Sequence, residues 1–237
     1  MKTIVIEYCF RFPDNSSEKF KLELNPLNLE LTGNIPQSLP EWTKLNFHQC
    51  PHCPLDVSTD PHCPLAANIV NIVLKFNGLI SYDKIWVDVI TQERRITQYT
   101  TAQKAISSMM GLVIATCGCP HTAFFKAMGR FHLPLASNEE TLFRATSMYL
   151  LAQYFLKMEG HPAKLELDGL TNIYRNMQIV NVAIANRLRV TSISDSSINA
   201  IVILDNFAKS LPHAIEKSLK DLRHLFLPFF SNLKKTD

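Results

Sequence analysis

Glycine is scarce in this chain, seven among 237 residues, and that scarcity removes whole classes of site. No Gly-rich loop is present to cradle a phosphate and no Gly-x-Ser-x-Gly elbow to present a serine, and a His-Glu-x-x-His helix is missing as well. Charge of one sign is equally lacking. The formal balance is only +3, and no Arg/Lys stripe interleaves with aromatics, so nucleic acid is not an expected partner. Long hydrophobic runs are also missing: no stretch reaches membrane-spanning length without charged or clustered polar residues. Near the N-terminus, Glu7 and Arg11 interrupt the apolar start before it attains the length of a signal peptide. The expectation is a cytoplasmic protein that is not held in a membrane.

Cysteine, by contrast, is concentrated. Pro-His-Cys-Pro-Leu occurs twice, at 51–55 and 61–65, after Cys50, and Cys117-Gly118-Cys119-Pro120-His121 follows downstream. Five of the six cysteines thus fall in two short segments, with His52, His62 and His121 beside them and His48 two residues before Cys50. In a reducing compartment such a set points to metal or redox chemistry and away from a disulfide framework. Thiolate and imidazole are the donors that zinc and softer ions prefer to carboxylate oxygen. Cys9 stands apart, on the opposite face of a strand from Ile4, Ile6, Tyr8, Phe10 and Phe12, and reads as structural.

Four of these cysteines, Cys50, Cys53, Cys63 and Cys119, directly precede proline. Proline suits the first position of a helix, where its missing N–H costs nothing. Cys63 and Cys119 are therefore expected at N-caps of helices running through Leu65–Phe76 and Phe124–Met128. At such a position the macrodipole and unpaired N–H groups favour a thiolate, so Cys119 is expected to have a lowered pKa.

The remainder predicts an α+β fold: a small N-terminal antiparallel β-sheet, a Cys/His-rich irregular segment and a C-terminal helical bundle. The parts are 1–45 (β-rich), 46–99 (Cys-rich loop, helix and strands) and 100–237 (helical), integrated as one domain. Alternation predicts strands at 3–12, at Phe20–Leu24, at Leu27–Leu31 and from Ile85 to Ile90, with a partner at Ile96–Tyr99. Capping boxes are expected at Thr100–Gln103 and Ser137–Glu140. Asp168 opens a long helix, and two shorter ones follow, at 195–209 and after Pro212. The basic, apolar run from Lys217 to Phe230 reads as a packed terminal helix. Met109 and Met110 read as core filling, and His132 as a weak ligand candidate.

Functionally, the pattern predicts that four of Cys50, Cys53, Cys63, Cys117 and Cys119, with His52, His62 or His121 as replacements, hold zinc in a closed, structural tetrahedral site. An iron–sulfur cluster on Cys50, Cys53, Cys63 and one of Cys117 or Cys119 is the first alternative, although the spacing matches no standard ferredoxin run. Thiol redox catalysis, with Cys119 as nucleophile and Cys117 as resolving thiol, is the second. The third is an interaction protein with packed free thiols. An unidentified protein partner or a homo-oligomer is compatible with each.

Overall fold

The computed structural model describes residues 2–190 and 195–233. Its sheet is fully antiparallel, built from β1 (Ile4–Arg11), β2 (Ser17–Leu24), β3 (Leu31–Thr32), β4 (Lys84–Ile90) and β5 (Arg95–Thr101) in the order β3-β2-β1-β4-β5. The α+β class is thus as the sequence indicates. Period-two alternation explains the sheet's two faces. Ile6, Tyr8 and Phe10 of β1 point inward and stack with Phe20, Leu22 and Leu24 of β2 and with Val87 and Val89 of β4, all buried. Cys9 lies on the other face, opposite Lys19 and Asp88.

Helices form the rest of the regular structure. They are α1 (Pro64–Lys75), α2 (Ala102–Thr116), α3 (Lys126–Arg130), α4 (Asn138–Met158), α5 (Asp168–Val190), α6 (Asp195–Leu222) and α7 (Leu227–Leu233). The apolar stripe of α1, Leu65, Ile69, Ile72, Val73 and Phe76, joins Met109, Met110 and Val113 of α2 in a core continuous with the sheet. Ser137 caps α4 as expected, its hydroxyl accepting the Glu140 N–H while the Glu140 carboxylate accepts the Ser137 N–H. Among the described residues no single helix is long and apolar enough to cross a membrane.

Three local expectations need correction. Leu27–Leu31 is a turn with only the two residues of β3 at its end. Asn25 Oδ1 accepts the Leu27 N–H, Asn28 Oδ1 accepts the Glu30 N–H, and Leu29 takes a positive φ of 59°. Leu27 is 81% exposed, so the leucine alternation there marks no buried face. The box at Thr100–Gln103 does not form either: Thr101 is the N-cap of α2 and makes no side-chain cap. Because β5 runs straight into α2, the first free N–H groups are met by backbone instead, Ala102 donating to Asp83 O and Gln103 to Ser81 O. Finally, the two helices expected around Pro212 are one continuous helix, α6. Proline removes one intrahelical bond, and the packing of α6 against α2 and α5 outweighs it. In the basic C-terminal run, the side chains of 211–219 lie outside the described residues.

Asp88 on β4 is a buried charge, 2% exposed, and its partners explain why it is tolerated. Arg11 and Arg95 reach it at 3.0 and 3.1 Å, and Thr97 donates a hydroxyl. Burial raises its pKa, but the Thr97 and Arg95 hydrogen bonds and the charges of Arg11 and Arg95 win, so the net shift is downward. A depressed folded-state pKa means a contribution that is complete above the unfolded value of about 3.9 and lost as pH falls through the lower folded value. Asp88→Asn is expected to cost on the order of 3 kcal/mol at pH 7. In urea titrations the gap to the parent should narrow below about pH 4, and a pH-independent gap would show that the carboxylate's charge is not what matters.

Candidate functional site: a thiol cluster behind Arg187

Residues 46–63 contain no helix or strand, yet they are held in place at defined points. His48, at a positive φ of 46°, turns the chain into the segment. The Cys53 N–H donates to Cys50 O at 3.0 Å, closing a turn over Pro51-His52 and bringing the two Cα atoms within about 7 Å of each other. At the far end, Leu45 N–H donates to Pro61 O and Cys63 N–H to Thr43 O, with a bridge between Lys44 and His62. The segment therefore leaves and returns at one place, with Cys63 delivered to the start of α1 and Pro64 at its first position.

The second cysteine segment meets it from the helical side. Gly118, with φ of 84°, makes the sharp corner between Cys117 at the end of α2 and Cys119, a conformation that L side chains resist. Asn68 of α1 clamps this corner, its amide donating to Pro64 O and to Cys117 O. His121 stacks on His52, ring centroids 3.9 Å apart, and its Nε2–H donates to the His52 carbonyl at 2.9 Å. The two Cys/His segments, distant in sequence, thus share one corner of the molecule.

The thiols of Cys53 and Cys63 act electrostatically on those of Cys50 and Cys119. Cys50 is pushed up to about 11, by burial first and then by Cys63 and Cys53. Cys119 is pushed up to about 12, by burial, with Cys63, Cys50 and Cys53 adding to it against the His121 N–H that its sulfur accepts. That corrects the expectation of an acidic Cys119. A helix-start N–H does reach the sulfur, but the helix is a short 3₁₀ turn, Pro120–Phe125, and burial in an apolar wall overrides it. Cys117 turns away: its Sγ donates to Ile114 O at 3.1 Å and lies 3.9 Å from Thr122 Oγ1. Burial also raises its pKa. Neither member of the Cys117–Cys119 pair has the stabilised thiolate that a redox nucleophile needs.

The histidines occupy different positions. His62 Nδ1 pairs with Thr43 Oγ1 at 2.8 Å, and because the Thr43 proton goes to Pro40 O, it is the His62 Nδ1–H that donates. This tautomer leaves Nε2 as an acceptor. Both ring nitrogens of His52 are covered, and burial followed by the neighbouring His121 holds its pKa below the usual value. Among the described residues no three His, Cys, Asp or Glu side chains are arranged to hold a metal ion.

A residue that the sequence did not single out, Arg187 of α5, completes the arrangement. It is 1% exposed. Its guanidinium donates to Trp42 O (2.8 Å), Lys44 O (2.7 Å) and Leu45 O (3.0 Å), at and beside the 43–45 stretch that pairs with 61–63. Burial lowers its pKa, and Cys63, Cys50 and Cys53 oppose that shift. Arg187 thus fixes the base of the loop to the helical bundle and sets a positive charge against three of the four thiols.

Residues 6–227 match the family model described as a domain of unknown function (DUF6901), and the chain belongs to that family. No curated protein and no solved structure matches it.

Proposed function

We propose that this protein is a metal-binding protein in which Cys50, Cys53, Cys63 and Cys119 hold one structural zinc ion. One observation carries the reading: the thiols of Cys50, Cys53, Cys63 and Cys119 come together at one corner of the molecule, close enough that Cys63 and Cys53 act on both Cys50 and Cys119, while the fifth candidate, Cys117, is engaged elsewhere. Mutual repulsion among ionising thiols is what a cation in their midst would relieve. Four thiolates around Zn²⁺ leave two net negative charges, and Arg187 stands where one of them needs balancing. The role is structural because a closed four-cysteine shell leaves no position for water or substrate. A cytoplasmic location follows from the same chemistry, since thiols of this kind stay reduced there.

Elemental analysis of protein purified without oxygen is expected to give about one zinc per chain in a colourless sample. A strong chelator should then expose thiols that were slow to titrate before. Coloured protein containing iron and sulfide would replace zinc by the cluster reading. Metal-free protein with thiol reactivity indifferent to chelator would leave only packed cysteines.

A further inference from the structure

Beside α2 and the end of β5, a cleft of about 450 Å³ opens between α2, the turn leading into α4, α5 and α6. That volume lies within the roughly 300–1,000 Å³ of small-molecule sites. Its walls are apolar, with Leu112, Phe125, Met128, Leu204 and Phe207 among them.

Three polar side chains are set into these walls although the packing gives them little access to solvent. Ser107 is 4% exposed, Tyr174 4% and Asn181 3%. All three line the cleft, and their polar atoms open onto it without a hydrogen-bond partner among the described residues. Polar ends that open onto a largely apolar cavity are donors and acceptors available to whatever occupies it. Ser108 on the same wall is already used, bonded to Tyr8 and to the Leu135 N–H. His132, which also lines the cleft, is occupied by the Tyr8 hydroxyl and is kept neutral by burial.

The charges lining the cleft are of one sign. Lys104 and Arg144 border it and, among the described residues, no aspartate or glutamate does. Arg144 Nη2 holds the carbonyls of Met128 and Phe131, which fixes the guanidinium at the wall and leaves Nη1 and Nε for another acceptor. Glu140, a carboxylate that acts on Arg144, is engaged with the Ser137 N–H in the cap of α4.

From these features we infer that the cleft binds an amphipathic monoanion, a single alkyl chain bearing a carboxylate, with the chain against Leu112, Phe125 and Phe207 and the carboxylate held by Arg144 and Lys104. Asn181, Ser107 and Tyr174 supply further donors at the polar end. The inference rests on no part of the zinc reading.

Calorimetric titration of the full chain with decanoate, and with decanol as a neutral chain of equal length, tests it. Decanoate should bind saturably at one site and about ten-fold or more tighter than decanol, the worth of one charge-assisted hydrogen bond. Arg144→Gln should reduce that preference about ten-fold without weakening decanol. Because Arg144 also holds two carbonyls, its variant could lose structure. Lys104→Gln, at an exposed position, serves as the second variant and should lower decanoate affinity about three-fold in a salt-sensitive manner. Absence of saturable decanoate binding, equal affinity for acid and alcohol, or an undiminished preference in a folded Arg144→Gln or Lys104→Gln protein would overturn the assignment.

Discussion

Cys63→Ser and Cys53→Ser are each expected to lose stoichiometric zinc and to make residues 46–63 the first point of cleavage in limited proteolysis. The segment has no ladder or helix of its own. It is held at its base by the 43–45 with 61–63 pairing and at its tip by the Cys50–Cys53 turn against His121. Structural zinc supplies about 10–16 kcal/mol to small domains that depend on it. Loss of one ligand in four therefore removes several kcal/mol of local restraint, enough to raise the cleavage rate about ten-fold or more. Cys9→Ser, on the outer face of β1, should behave as the parent does. If the Cys53 and Cys63 variants also resist protease like the parent, packing and Arg187 hold the loop unaided and the zinc reading fails.

The second large effect is expected at Arg187. Arg187→Met keeps most of the side chain's bulk but leaves three carbonyls, of Trp42, Lys44 and Leu45, without the donor that now reaches them. Hydrogen bonds from a charged donor contribute about 1.5–3 kcal/mol each, less when they share one group. A loss of about 4 kcal/mol is therefore expected, equivalent to a fall in Tm on the order of 10 °C for a chain of this size. Arg187→Lys should recover little, because one ammonium cannot span three acceptors as a planar fork does. Thermal unfolding followed by circular dichroism measures both variants. A drop of less than about 2 °C for Arg187→Met would mean that water satisfies these carbonyls equally well.

The fold and the thiol site differ in how far they can be read from the chain. The alternation Ile6, Tyr8, Phe10 and the reciprocal pair Ser137–Glu140 are local signals, and their consequences are local, so strand and cap formed as written. The Cys/His segments were visible as clusters, and Pro64 marks the start of α1 as expected. Which thiols face each other was not visible, since it depends on a corner at Gly118 and a stacking of His52 on His121 that join residues far apart in sequence. Arg187 and Asn181 illustrate a different loss. Both sit among the apolar positions of α5, next to Val180, Ile184 and Leu188, where polar residues are easily taken for the edge of the stripe. A polar residue within an apolar stripe was the available signal for both. Neither the carbonyls around Arg187 nor the cleft at Asn181 exists until α5 is packed.

The position of β1 at the centre of the sheet has a consequence for synthesis. Its first neighbour, β2, follows at once, but its second, β4, begins about sixty residues after β2 ends. At about 5–20 residues per second, a ribosome needs roughly 3–12 s to supply that stretch. During this interval the hairpin of β1 and β2 emerges with one edge of Ile4–Arg11 unpaired and the aromatic side chains of Tyr8 and Phe10 uncovered. An alternating, apolar open edge is what chaperones bind and what neighbouring nascent chains pair with. The closing of this sheet by β4 is therefore the step at which newly made protein is most exposed to aggregation.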